Sequence, residues 1–223
     1  MIEQNVKSLL ASLPEKNPQG EKIVVVGAIK LQSIDDINRA IACGITQVGD
    51  NHVQEFREKF SHLVGVEKHH FIGHLQTNKV KYLIGKTNLI HSVDRLPVAQ
   101  EIAKRSFNAG VITEVLLQIN AGNEESKGGF DFDEIESAYS QIKALDGIKI
   151  MGLMAMLPFS DDENLLRRLA TKVRKVYDTL KATDSDFEYL SMGMSGDWKL
   201  CVECGSNLIR VGTTIFGARN YNK

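Results

Sequence analysis

Apolar positions along the 223-residue chain follow two periods that take turns. Short β-branched runs at Lys22–Ala28, Thr46–Gly49, His70–Gly73, Asn88–Val93, Ile112–Asn120, Ile148–Met156, Phe187–Met192 and Leu208–Gly212 read as strands. Between them lie stretches of helical spacing at Ile34–Ala42, Val53–Phe60, Gln76–Ile84, Leu96–Arg105, Phe132–Ala144, Glu163–Ala182 and Trp198–Glu203, with a last turn over Thr214–Ala218. In the first of these Ile34, Ile37 and Ile41 share one face, and Ser33 is placed to cap it. A further helix ends near Pro14, before the first strand. Strands alternating with helices call for a parallel sheet. Eight such units favour closure over a doubly wound open sheet, which has fewer strands and a glycine-rich first turn. Here the first strand runs into Ile29-Lys30-Leu31 instead. The expected fold is α/β: a single (β/α)8 TIM-type barrel with an extra N-terminal helix, one domain over residues 1–223.

Composition narrows the partners. With 27 basic against 28 acidic residues the net charge is -1 and no basic stripe runs along the chain, so nucleic acid is not an expected ligand. The longest apolar run, Ile23–Ile29, falls far short of the roughly 20 residues that cross a bilayer, so no membrane span is expected. Residues 1–16 lack the layout of a signal peptide. The odd set Cys43, Cys201 and Cys204 makes no disulfide framework and fits a reducing compartment. A cytoplasmic protein is expected.

Barrels gather functional groups where strands end and βα loops begin. Those ends carry Lys30, Asp50-Asn51, His74, Ser92 with Asp94, Asn120, Met154, Ser191 to Asp197 and Arg210 to Thr213. By strand alternation Val24, Val26, Ala28 and Lys30 share a face. If that face is the interior, Lys30 is an amine in a confined mouth, where desolvation frees its lone pair for attack on a carbonyl; otherwise it ends a strand and snorkels to water. The loops Ser191-Met-Gly-Met-Ser-Gly-Asp197 and Arg210-Val-Gly-Thr213 each open a helical turn with glycines and hydroxyls. That is the chemistry of a phosphate cup at the site where barrels often place one, and also that of ordinary capped glycine turns. A lysine on strand one facing such a cup suggests a phosphorylated aldehyde.

Several ordered blocks carry a closer likeness: Phe71-Ile-Gly-His-Leu-Gln-Thr-Asn-Lys79, Ile90-His-Ser-Val-Asp94, Glu125-Ser-Lys-Gly-Gly-Phe130, Gly152-Leu-Met154, Ser191 to Asp197, and Arg210-Val-Gly-Thr-Thr-Ile-Phe-Gly-Ala-Arg219. Over nearly its whole length the chain resembles the pyridoxal phosphate homeostasis proteins, whose fold matches the N-terminal barrel of alanine racemases. The resemblance implies pyridoxal 5′-phosphate held as a Schiff base on Lys30. It implies a phosphate held by Ser195, Gly196, Gly212 and Thr213 with Ser191 beside them, and Arg210 facing the pyridine nitrogen. Asn51 and Met194 complete the expected cofactor-binding set. The family's first strand usually ends with a hydroxyl on each side of the lysine, whereas Ile29 and Leu31 flank it here. Its Gly-Glu-Asn after strand two is Gly49-Asp50-Asn51, and its usual Trp is His69.

Arginine donates and stays charged, so the ring nitrogen beside it would stay unprotonated and stabilise a carbanion poorly. Racemase relatives take a second base from an added β domain, for which the chain has no room before Lys223. The expected function is therefore cofactor homeostasis and supply without catalytic residues, acting as a monomer with pyridoxal-phosphate-requiring apo-enzymes as recipients. The alternatives are an amino-acid racemase-type enzyme on the same cofactor and a barrel for another sugar phosphate. Other features weigh less. His69, His70, His74 and His91 do not converge as a metal site needs, since His69 and His70 point to opposite faces. Cys201 and Cys204 read as small apolar residues of a helix, Ser126-Lys127 as a solvated part of a polar loop over residues 120–129, and Arg167, Arg168, Lys172, Arg174 and Lys175 as the wet face of a long helix.

Overall fold

The computed structural model describes residues 1–122 and 128–217. Strands β1 (Val24–Ala28), β2 (Gln47–Asp50), β3 (Lys68–Phe71), β4 (Leu89–Val93), β5 (Thr113–Ile119), β6 (Ile148–Ala155), β7 (Tyr189–Ser191) and β8 (Leu208–Val211) close in sequence order into a parallel barrel. The seam between first and last strands is regular, with Val24, Val25, Val26 and Gly27 opposite Leu208, Ile209, Arg210 and Val211. Among the described residues the helices are α1 (Ile2–Ser12), α2 (Ile34–Ala42), α3 (Val53–Lys59), α4 (Leu96–Asn108), α5 (Ile135–Lys143), α6 (Glu163–Lys181), α7 (Trp198–Glu203) and α8 (Thr213–Phe216). The extra N-terminal helix lies against α8 and α2, where Val6 and Leu9 pack with Ile215, Trp198 and Val202.

Strand periodicity sorts side chains into two cores. Along β5, Val115, Leu117 and Ile119 pack outward under the helices, and Leu116 packs inward with Val26, Leu89, Met154 and Leu208. The helices start where caps allow. The Ser33 hydroxyl accepts from Asp36 N at 3.1 Å, and Asp162 accepts from Leu165 N at 3.1 Å.

Two sequence expectations change. The stretch expected as a helix over Gln76–Ile84 is a 3-10 helix, Thr77–Tyr82, closed by bonds such as Leu83 N to Val80 O. Side chains three apart eclipse in that geometry, so Val80 and Leu83 are both buried by one short turn. Arg174 is not on the wet face of α6. The buried stripe is Leu166, Ala170, Val173, Tyr177 and Leu180, and Arg174, four residues after Ala170, falls on its flank. It is buried and binds Glu21, just before β1, at 2.7 Å. Ser126, Lys127, Ala218 and Arg219 lie outside the described residues.

Candidate functional site

The C-terminal mouth of the barrel holds a cavity of 240 Å³ lined by Ala28, Lys30, Asn51, Ile72, Met156, Met194, Ser195, Gly196, Arg210, Gly212 and Thr213. Eight of the nine expected cofactor-binding residues meet there. The ninth, Ser191, is fully buried and turned away from the lining. Larger grooves of 290, 480 and 510 Å³ have no Lys30 in their lining, although the 480 Å³ groove shares Ser195 and Gly196 with the cavity.

Lys30 does not sit in the strand itself. β1 ends at Ala28, and the chain turns through Ile29-Lys30-Leu31-Gln32, with Gln32 N donating to Ile29 O at 3.2 Å. Leu31 has φ of 61°, the one non-glycine residue among those described with positive φ. That is the third position of a turn that normally takes glycine. α3 braces this turn. Leu31 N donates to Glu55 Oε2 at 2.8 Å, and Lys59 Nζ donates to Ile29 O at 3.2 Å and to Glu55 Oε2 at 2.6 Å. Burial pushes Glu55 up, but the hydrogen bonds from Lys59 and Leu31 outweigh it and hold its carboxyl below the usual range. Asp50, beside Asn51, is also buried, and one carboxylate oxygen has no partner among the described residues. Burial raises its pKa to about 7, with Lys59 opposing the rise and Glu55 adding to it.

Next to the β1 end, the loops after β7 and β8 are tied by one hydroxyl. Ser195 Oγ accepts from Gly212 N and from Thr214 N, each at 3.2 Å, which leaves its own proton to donate. At Gly196 a Cβ would meet nothing within 4 Å, so the backbone stands open. Gly193, at φ of 106°, is confined differently: a Cβ there would stand 2.9 Å from Trp198 Cα. This loop therefore turns tightly against α7 before reaching the cavity.

Beneath the cavity a chain of hydrogen bonds crosses the barrel interior. Arg210 Nη1 donates to the Ser191 hydroxyl; Ser191 Oγ meets His91 Nδ1 at 2.9 Å; His91 Nε2 meets His70 Nδ1 at 2.9 Å; His70 Nε2 meets Gln47 Oε1 at 3.0 Å. One direction satisfies every member: Arg210 gives to Ser191, Ser191 to His91, His91 to His70, and His70 to the Gln47 carbonyl, with both imidazoles protonated on Nε2. Burial, then the charges of Lys68 and His69, pushes His70 down to about 3. Burial, then His70 and Arg210, pushes His91 well below its usual value, so both rings stay neutral. Arg210 also donates to Ser191 O at 2.8 Å and Ala155 O at 2.9 Å, and burial lowers its pKa to about 10. It has no carboxylate partner among the described residues, and its Nε–H and one Nη2–H are left for a ligand.

The remaining rim candidates are placed elsewhere. Asp94 pairs with Arg95 and, at 3.1 Å, with His74, and Met154 packs in the barrel interior. His69 packs outside against Phe56 and Phe60. Among the described residues no group of three or more His, Cys, Asp or Glu side chains converges for a metal ion. Sequence reasoning missed Glu55 and Lys59. Their only signal is opposite charge four apart on a helix, which any solvated helix shows.

Residues 2–220 match the family model of the alanine racemase N-terminal domain. The chain is 38% identical over 210 residues to a pyridoxal phosphate homeostasis protein of Aquifex aeolicus, covering 93% of this chain and 92% of that one. The chain belongs to the pyridoxal phosphate homeostasis protein family. The family member of Escherichia coli K12 is 32% identical over 209 residues, covering 91% of this chain and 88% of that one. Among solved structures, PipY of Synechococcus elongatus PCC7942 with pyridoxal phosphate bound superposes with a TM-score of 0.86 at 28% identity, covering 97% of this chain and all of that one. Alanine racemase of Clostridium difficile 630 shares the fold, with a TM-score of 0.79 at 16% identity over 99% of this chain and 56% of that one. Among the described residues no helix is long and apolar enough to cross a membrane.

Proposed function

We propose that this chain holds pyridoxal 5′-phosphate as a Schiff base on Lys30 and serves the supply of that cofactor rather than turnover of a substrate. One observation carries it. Lys30 shares one cavity with a hydroxyl-and-amide cradle, and apart from Arg210 it is the one titratable side chain among the described lining residues. The fit to the cofactor rests on three features. The Ser195 hydroxyl keeps a proton to donate beside the open backbone of Gly196, which suits a phosphate. Arg210 keeps two N–H groups for a ring nitrogen. Asn51 lines the wall with a buried side-chain oxygen that lacks a partner among the described residues.

The cofactor would supply an aldehyde carbonyl, and the Lys30 amine would hold it covalently with loss of one water. The chain's own groups then anchor and orient. Ser195, Gly196, Gly212 and Thr213 would hold the phosphate end, and Arg210, fixed by Ser191 and Ala155, would meet the ring. Ser191 thus acts from behind the lining, through Arg210. A racemase needs a base on each face of the ring, and no His, Tyr, Cys or carboxylate lines the cavity among the described residues. Holding and releasing the cofactor to apo-enzymes is the activity that remains.

Borohydride reduction of the loaded protein followed by peptide mapping tests the site. The label is expected on Lys30, and a label on another lysine would overturn the assignment. Incubation of the loaded protein with a panel of amino acids in deuterated water tests the supply role. No α-proton exchange is expected, and exchange at ordinary enzyme rates, about 1 per second or faster, would make it an enzyme.

A further inference from the structure

Two charged side chains of α3, Glu55 and Lys59, reach past the helix surface to the backbone on each side of Lys30. The carbonyl before it, Ile29 O, accepts from Lys59 Nζ, and the amide after it, Leu31 N, donates to Glu55 Oε2. We propose that the Glu55–Lys59 ion pair is a positioning clamp for Lys30, fixing its flanking peptide groups so that the amine is presented to the cavity. This rests on the assignment of Lys30 as the carbonyl-capturing residue and adds two positioning residues to it.

Three observations distinguish a clamp from an ordinary helix pair. First, exposed pairs four apart contribute only tenths of a kcal/mol and keep their heads in water. These two side chains are 11% and 18% exposed, and both bond to backbone as well as to each other. Second, Leu31 is held at a φ of 61°, a conformation that persists only where the surroundings over-determine it. Its own side chain contributes little there, being 68% exposed, so the restraint comes through its amide. Third, Lys59 has a further charge to answer, the buried Asp50 carboxyl next to the cavity-lining Asn51. Its ammonium therefore ties the β1 turn to α3 by hydrogen bonds and acts on the end of β2 through charge alone. Without the pair, Leu31 relaxes to negative φ, and the Lys30–Leu31 peptide plane turns with it.

The test uses full-length protein without cofactor and pyridoxal, the aldehyde lacking the phosphate, so that the phosphate-cradle loops after β7 and β8 contribute nothing to capture. Capture is followed by growth of the visible imine band and by borohydride trapping at Lys30. Glu55→Ala and Lys59→Met are each expected to slow capture roughly ten- to a hundredfold, the scale set by loss of orientation of a reacting group. Glu55→Gln, whose amide oxygen still accepts from Leu31 N, is expected to recover part of the rate. Leu31→Gly in the Glu55→Ala background recovers none, because glycine relieves strain without restoring the restraint. Inorganic phosphate should bind all variants alike, and amide exchange at Leu31 should quicken in Glu55→Ala. Wild-type capture rates in Glu55→Ala and Lys59→Met would overturn the clamp. If the wild-type chain captures no aldehyde at Lys30, the cofactor assignment fails instead. The clamp is then judged by Leu31 amide exchange and by the acylation rate of Lys30 in the same variants, and no change in either would reject it. Should Glu55→Ala not fold, Lys59→Met carries the same measurements, and a wild-type capture rate there overturns the clamp.

Discussion

The two ends of this barrel bury similar groups and treat them in opposite ways. At the N-terminal end, Glu21 receives Arg174 and Lys181 at 2.7 Å each and Asn17 at 2.8 Å, while Arg174 also binds Asp178 and Gly205 O. Burial pushes the Glu21 carboxyl up, but those hydrogen bonds outweigh it and hold it below the usual carboxylate range. Among the described polar atoms there, Arg174 Nε alone lacks a partner. At the C-terminal end, Arg210 is buried with no carboxylate in ion-pair contact among the described residues, and among them Asp50 and Asn51 each keep an unpartnered oxygen. Leu31 is strained beside them. A protein gains nothing by leaving buried groups unsatisfied for their own sake. The bottom is finished by the chain itself, and under the proposed function the mouth is finished by what binds there. Barrel enzymes divide stability and function between the same two ends.

The largest effects should fall on opposite ends and not mix. Lys30→Ala is expected to abolish the visible band on addition of pyridoxal phosphate while moving the melting temperature by no more than about 2 °C, as for a partly exposed residue outside the core. A band that survives undiminished would remove the covalent proposal. Arg174→Met is expected to do the reverse. It leaves Glu21 buried against one cation instead of two, costing about 3 kcal/mol in urea unfolding and lowering the melting temperature by roughly 6–12 °C. Cofactor capture below that temperature should be unchanged. A loss under about 1 kcal/mol would mean that the bottom clasp is no better than a surface pair.

The barrel itself is legible in the sequence because each strand and helix announces its period locally. Lys30, Ser195, Gly196, Arg210, Gly212 and Thr213 are legible because strand ends of a closed barrel converge by geometry. What stays hidden is any partnership made across the sequence. Nothing local in Arg174 tells it from its exposed neighbours Arg168 and Lys175; its place beside Glu21 follows from how α6 docks. Ser191 reads as a rim hydroxyl, yet alternation on β7 turns it under the cavity toward His91 and Arg210. The hydrogen bonds among His70, His91 and Gln47 depend on three strands being brought side by side.

Titration sharpens the contrast, because two buried sets at the mouth carry opposite signs. Asp50 has a folded pKa of about 7 against 3.8 when exposed. The folded chain binds the extra proton between those values, so stability falls as pH rises from about 4 to 7. His70, at about 3 against 6.5, works the other way: the unfolded chain takes up the proton, and stability is lost as pH falls from about 6.5 toward 3. Asp50→Asn removes the first slope and leaves the second. In the cofactor-free protein it should gain about 2 kcal/mol relative to wild type at pH 8 compared with pH 4, half the full linkage value because solvent relaxes around the charge. Parallel urea-unfolding curves at the two pH values measure it. A constant difference would place the Asp50 carboxylate in a far more polar setting than its burial implies.

The smallest expected change is the most telling, because it sets the two buried arginines side by side. Arg210 is 5% exposed and Arg174 8%, so area alone predicts equal costs for replacing them. The difference lies in what each leaves behind. Removing Arg174 leaves the buried Glu21 carboxylate with Lys181 as its one remaining cation and takes the ion pair from the half-exposed Asp178. Removing Arg210 strands only the Ser191 and Ala155 carbonyls and the Ser191 hydroxyl, and it also ends the burial of an unanswered charge. Arg210→Met in the cofactor-free chain should therefore stay within about 1 kcal/mol of wild type by urea unfolding, against about 3 for Arg174→Met. Adding pyridoxal phosphate should then separate them in the other direction. The ligand stabilises Arg174→Met as it does wild type, and it stabilises Arg210→Met less, because the weaker complex gives a smaller linkage gain at the same concentration. Equal losses for the two arginines without ligand would show that Arg210 is a structural group like its counterpart below, and the mouth would lose its claim to be kept incomplete for a ligand.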